Sequence, residues 1–166
     1  RTTLFLVDRP GAVQSELRIG HPSVGRSHPD HAPLLVMNTL LGGAFTSRLN
    51  LNLRERHGFT YGARSRFAFR RDGGPFIVST AVGTDVTARA VEEIVHELRR
   101  LRDDGAQPDE VARTRDYLIG IQPLELQTAN ALAGRLVELF VHDFPDDHFR
   151  RQREAIAAVT TEDVAR

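Results

Sequence analysis

Apolar and polar positions change period several times along the chain, and each change predicts a different element. From Ala12 to Ile19 they alternate, with Val13, Ser15, Leu17 and Ile19 on one face and Gln14, Glu16 and Arg18 on the other, which predicts a half-buried strand. The preceding run TLFLVD (3–8) is apolar and β-prone and predicts a short strand, joined to the first through an Arg9-Pro10-Gly11 turn. A second alternation places Phe59, Tyr61, Ala63, Ser65, Phe67 and Phe69 on one face, and Thr60, Gly62, Arg64, Arg66 and Arg70 on the other. RDGG (71–74) then predicts a hairpin turn, and PFIVSTAVG (75–83) its antiparallel return.

Helical spacing occupies the remainder. Pro33 to Leu41 carries Leu34, Met37, Leu40 and Leu41 and is broken by Gly42-Gly43. Thr46 to His57 forms a second helical piece, with Gly58 suited to the position just past its end. Thr84 can cap a helix whose stripe runs from Val86 to Leu101 and which Gly105 ends. Pro108-Asp109-Glu110 opens a helix to about Gly120. Leu126 to Val141 follows, with Ala129, Leu132, Ala133, Leu136 and Phe140 as its stripe, then a helix from Pro145-Asp146-Asp147 through Ala157. Thr160 and Asp163 form a capping-box variant for a last helix. Adjacent antiparallel strands with grouped helices indicate an α+β fold, an antiparallel sheet covered by helices on one face, as a single domain over 1–166.

Composition narrows the chemistry. The 166 residues contain 22 basic and 22 acidic side chains, so formal net charge is zero and no global field favours nucleic acid or an anionic membrane. Every basic residue is arginine, which excludes Schiff-base and P-loop lysine chemistry, and the absence of cysteine excludes disulfides and thiolate sites. No apolar run approaches the roughly 20 residues needed to cross a bilayer. The arginine run Arg64, Arg66, Arg70 and Arg71 reads as an exposed strand face or an interface with another domain.

Candidate sites are few. His28 and His31 in HPDH are three apart, but Pro29 and the loop setting weaken them as metal ligands, and the chain contains neither HExxH nor HxxEH. The acidic pairs Glu92-Glu93, Asp103-Asp104 and Asp146-Asp147 fit solvated faces and helix ends. LLGG (40–43) ends a helix and lacks the Lys-Ser/Thr of a phosphate loop. Arg54 and Tyr61 sit seven apart on opposite sides of a helix-to-strand turn. By themselves they read as a surface helix residue and a sheet residue with its hydroxyl at the rim.

One segment adds to this. Asn38, Leu41-Gly42-Gly43, Phe45, Ser47-Arg48-Leu49, Leu53-Arg54-Glu55, Gly58 and Thr60-Tyr61 form a pattern that resembles the carboxy-terminal domain of the pitrilysin-type zinc peptidases, family M16, similar to the bacterial M16B processing peptidases. DRPGAVQSELRIG, the hairpin, the helix order and TTEDV (160–164) fit as well, so the resemblance covers nearly the whole chain.

The resemblance implies a LuxS/processing-peptidase-like metallohydrolase fold and a catalytic mechanism split between two halves. One half carries HxxEH and zinc. This chain lacks that motif and resembles the other, so no cofactor is expected on it and zinc is expected in a partner domain of the same parent chain or a separate subunit. Arg54 and Tyr61 match the Arg and Tyr with which the non-zinc half holds a peptide and stabilises the transition state. Gly42 and Gly43 shape the break that aims the Arg54 helix. The expected partners are the zinc-bearing half and a peptide substrate, without nucleic acid or membrane insertion. An inactive scaffold or assembly subunit of the same family is the alternative. The family domain also continues past TTEDV into a final strand, and the chain stops at Arg166, so an unpaired sheet edge is expected.

Overall fold

A computed structural model describes residues 2–166. Its sheet has three antiparallel strands in the order β1-β3-β2, where β1 is Gln14–Ser23, β2 Ala63–Phe67 and β3 Gly74–Gly83. The period-2 pattern determines which face is buried: Ala63, Ser65, Phe76, Val78, Thr80 and Val82 turn inward, and Arg64 and Arg66 turn out.

The helices supply the other side of the core. They are α1 (His31–Asn38), α2 (Arg48–Asn50), α3 (Thr87–Asp103), α4 (Pro108–Glu125), α5 (Ala129–His142), α6 (His148–Ala158) and α7 (Thr161–Ala165). Val36, Leu40, Leu41, Leu49, Leu53 and Ile94 are fully or almost fully buried against the sheet residues. Each such side chain contributes about 1.5–3 kcal/mol relative to exposure. Local signals mark several ends. Gly58 and Gly105 adopt φ of 64° and 73° past their helices, and Thr160 with Asp163 closes a reciprocal capping box.

Several expectations are corrected. TLFLVD does not form a strand: among the described residues no segment pairs with it, and Leu4 to Val7 stand almost fully exposed. Its turn does form, through Ala12 N–H donating to the Arg9 carbonyl at 3.1 Å with Gly11 at φ 78°. The second strand begins at Ala63 rather than Phe59 and ends at Phe67, because Thr60 and Gly62 make a side-chain-closed turn before it. Thr84 does not cap α3; it starts a 3₁₀ turn (Thr84–Val86) that leads into the helix. Helix α4 runs past Gly120 to Glu125, carrying Pro123 within its last turn.

Helix α5 is turned over relative to its pattern. Leu132, Leu136 and Phe140 face outward, and none of its residues is fully buried. The inward positions include Arg135, Glu138 and His142. On that inward face lies Arg26, a buried guanidinium whose Nε donates to Glu138 Oε1 at 2.8 Å. An unpaired charge at that depth would cost several kcal/mol, so the helix presents its carboxylate inward.

His31 opens α1 in the same region, its ring tilted against that of Phe69 with centroids 4.4 Å apart. Burial, aided by the Arg26 charge and by His148, pushes its pKa down to about 3. The unfolded ring titrates near 6.5, so between these values only the unfolded chain takes the proton. The stabilisation is complete above about pH 6.5 and is lost progressively as pH falls toward 3; His148, also shifted down, acts in the same direction. Denaturant midpoints should therefore fall from pH 7 to pH 5, and His31→Phe should flatten that decline. An equal decline in the variant would place its cause elsewhere.

Candidate functional site

Between α1 and β2 the backbone twice departs from α geometry. Thr39–Gly43 and Leu51–Arg56 are π-helical turns, with Ala44 N–H donating to the Thr39 carbonyl and His57 N–H to that of Asn52, both at 3.1 Å. Such turns insert an extra residue and re-aim the side chains around them. The first delivers the chain to Ala44 and Phe45. The second carries Arg54.

Gly42 makes the first turn possible by close approach. A Cβ there would stand 2.5 Å from the Ser65 backbone nitrogen and 2.9 Å from a Leu49 methyl carbon, whereas at Gly43 the nearest atom, Asn38 Nδ2, is 3.1 Å away. Neither glycine has a positive φ. At Gly42 the requirement is room against β2, not backbone freedom.

Arg54 and Tyr61 come together. The Arg54 guanidinium carbon lies 4.4 Å from the centroid of the Phe45 ring and 5.4 Å from that of Tyr61, both within cation–π range. Its Nε is 3.6 Å from Glu55 Oε1, a partly exposed contact of small value. Tyr61 is 93% exposed and Phe45 69% exposed. The arrangement is a guanidinium set against two aromatic rings, with a phenol standing free in solvent.

Asn50 holds this arrangement together. It is 7% exposed, and both ends of its side chain bind backbone: Nδ2 donates to the Ala44 carbonyl at 3.2 Å, and Oδ1 accepts from Ala63 N–H at 2.9 Å. One amide thus ties the residue before Phe45 to the second residue after Tyr61, on either side of Arg54. Thr60 anchors the other side of the tyrosine, its hydroxyl 2.9 Å from that of Thr80 on β3. Arg48 fixes the helix start, donating from Nε and Nη2 to the two Glu110 oxygens and also to the Gly105 carbonyl. The Arg48 hydrogen bond is the main reason the Glu110 carboxyl sits below its usual range.

Arg54, Tyr61, Gly42 and Gly43 stand out in the sequence, whereas the roles of Asn50 and Phe45 emerge only from the fold. An asparagine that alternates with leucines in LNLNL carries no signal that it will be buried. His28 and His31 do not converge: the His28 ring accepts from Asp30 N–H, and His31 packs on Phe69. Among the described residues no three His, Asp or Glu side chains gather as metal ligands, and no helix is long and apolar enough to cross a membrane.

Asn50→Ala should cost about 1–3 kcal/mol in denaturant unfolding, because it strands the buried Ala63 N–H. Gly42→Ala should destabilise more than Gly43→Ala, since its added methyl meets backbone. Wild-type stability in Asn50→Ala, or equal effects at the two glycines, would contradict these assignments.

The family model described as "Peptidase M16 inactive domain" matches residues 3–118. "Uncharacterized zinc protease YmxG" of Bacillus subtilis is 27% identical over 122 residues, covering 74% of this chain and 30% of the relative. "Probable inactive metalloprotease YmfF" from the same organism is 28% identical over 148 residues, covering 84% and 34%. The chain thus spans about a third of the length of these relatives. The crystal structure of a peptidase M16 inactive domain from Pseudomonas fluorescens superposes with a TM-score of 0.86 at 22% identity, over 93% of this chain and 37% of that one. The α+β architecture and the absence of HxxEH agree with these likenesses, and the chain belongs to the peptidase M16 family as its C-terminal, non-zinc inactive domain.

Proposed function

We propose that the domain contributes Arg54 and Tyr61 to peptide binding and transition-state stabilisation in a composite active site whose zinc belongs to the other half of the parent protein. The observation that supports this reading most directly is the placement of the pair: an exposed phenol beside a guanidinium seated on aromatic faces, neither used by the core. Hydrolytic chemistry would come from the zinc-bearing half. This chain would hold and orient the peptide.

The two side chains suit different parts of that task. Attack on an amide carbonyl develops negative charge on its oxygen, and a positioned O–H aimed at that oxygen lowers the barrier. Tyr61 offers one O–H on a rigid ring, from a turn braced by Thr60. Arg54 offers a fork of donors for a peptide carbonyl or carboxylate, while its flat face rests on Phe45. Pre-seating the guanidinium reduces the rotamer freedom lost when a peptide binds.

The second reading, a catalytically inactive scaffold or assembly subunit, draws on the relative named a probable inactive metalloprotease. Under that reading the parent protein has no peptidase activity for Arg54 or Tyr61 to serve, and both can be replaced without loss of assembly.

In the full parent protein, Tyr61→Phe should lower kcat by about 10²–10³-fold on a peptide substrate, the usual cost of one such donor. Thermal stability should stay unchanged, since the ring lies in solvent. Arg54→Lys should raise KM and fail to restore binding, because an ammonium neither forks nor stacks in the same way. Turnover of Tyr61→Phe at the wild-type rate would refute the catalytic reading.

A further inference from the structure

The core-facing side of the sheet is covered by helices, and the opposite side carries a basic strip. Arg64 and Arg66 of β2 and Arg18 of β1 stand exposed on that outer face, with half-buried Ser79 and Ile77 of β3 between the two strands. In the strand register Arg18 and Arg64 both lie opposite Ser79, and Arg66 lies opposite Ile77. Arg70 and Arg71 extend the run into the hairpin and are also exposed. Between Ala63 and Gly74 the only acidic side chain is Asp72.

Nothing within the domain neutralises these cations. Arg26, Arg48, Arg102, Arg113, Arg150 and Arg151 each hold a carboxylate at 2.6–2.8 Å. Arg18 is matched as well, by Glu16 at 2.8 Å. Among the described residues, Arg64, Arg66, Arg70 and Arg71 form no ion pair and donate no side-chain hydrogen bond. The formal net charge of the chain is zero, so four uncompensated guanidinia in one stretch are a local surplus. Such a surplus repels itself and concentrates anions at the surface.

Spacing says which anion fits. Arg64 and Arg66 are two residues apart on one strand, so they leave the sheet on the same face, about 6.6 Å apart along it. An extended peptide repeats its side chains on one face with the same period. Acidic residues at alternate peptide positions would therefore meet the two guanidinia together, each through a two-point contact. The strip also adjoins the candidate site. Arg64 follows Tyr61 by three residues and Arg66 by five, which limits their Cα separations from it to about 11 Å and 18 Å. Three to six further residues of an extended peptide cover that span. The aromatic rings of this segment are occupied elsewhere: Phe67 packs on Phe76 and Phe69, and Phe69 on His31. The strip thus lacks the stacking rings that bind bases, which favours peptide carboxylates over single-stranded nucleic acid.

We infer that Arg64 and Arg66, extended by Arg70 and Arg71, form an anion-recognising strip that selects peptides carrying Asp or Glu at alternate positions, three to six residues from the segment gripped by Arg54 and Tyr61. The inference rests on the proposed peptide-holding function and names a substrate class for it.

The test uses the full parent protein treated with a chelator, so that binding is read without turnover. Fluorescently labelled peptides of one length carry Glu-Ala-Glu or Gln-Ala-Gln moved through successive positions, and affinity is measured by anisotropy. In one register the Glu peptide should bind about three- to tenfold more tightly than its Gln counterpart, the range expected of two exposed charge pairs, and added salt should shrink the difference. Arg64→Gln combined with Arg66→Gln should bring that ratio close to one, and the corresponding Lys pair should keep part of it. Tyr61→Phe should leave the ratio intact, since it removes no charge. A ratio near one in the wild-type protein, with the peptides still bound, overturns the inference and leaves the peptide-holding reading standing. A ratio unchanged in the Gln double variant overturns it too, as does a single-stranded oligonucleotide that binds more tightly than the Glu peptides. If the Gln double variant loses the ratio but also elutes or melts differently without peptide, the inference is again overturned, in favour of a contact between the strip and the rest of the parent protein. Failure of every peptide to bind overturns both readings.

Discussion

A single buried carboxamide sets the geometry on which the candidate site depends. Asn50 donates to the Ala44 carbonyl and accepts from the Ala63 amide, so the glycine-containing turn and the start of β2 cannot move independently. Phe45 follows one anchor, Tyr61 precedes the other, and Arg54 lies one helical turn beyond Asn50 itself. Both anchored groups are backbone, so the constraint acts on the chain path rather than on one rotamer. A hydrogen bond of this kind contributes about 1 kcal/mol net, yet leaving its partners unmade in a buried setting costs more. This asymmetry is what makes one side chain decisive for the position of three others.

Around that anchor the structure divides its charges. On the Arg54 side, Arg48 is neutralised by Glu110, and Asn52 donates to Glu93 and Glu97, so the helix bearing Arg54 is fastened to α3 and α4. Arg54 differs, as its nearest carboxylate is a partly exposed neighbour at 3.6 Å and its main contacts are aromatic faces. A guanidinium seated in that way keeps donors available. At the other end of the helical layer, Arg26 is fully engaged by Glu138 and His148, and there the same residue type is structural.

Much of this was legible in the sequence where the signal is local. The glycines at 58 and 105 and the Thr160–Asp163 capping box each depend on a few neighbouring residues and appear in the structure as read, and the β1 alternation holds from Gln14 to Ile19, although the strand starts two residues later than Ala12 and runs on to Ser23, leaving Val13 exposed. The proximity of Arg54 and Tyr61 was legible through the family pattern rather than through spacing alone. Long-range features were not legible. A β-prone run such as TLFLVD says nothing of whether a neighbour will pair with it. The stripe of α5 reveals an amphipathic helix but not which face turns inward, because its inward partners, Arg26 among them, lie more than a hundred residues away. The π turns use the same residue types as an α-helix, so no periodicity announces them. Asn50 and Phe45 were overlooked for the same reason: their importance lies in what the fold brings to them.

The central claim is that one guanidinium and one phenol on this domain meet a bound peptide. The most direct measurement is a structure of the full parent protein carrying a bound, uncleaved peptide. The account predicts the Tyr61 hydroxyl and the Arg54 guanidinium within hydrogen-bond distance of peptide carbonyl or carboxylate oxygens. A peptide seated with both side chains out of reach would contradict it.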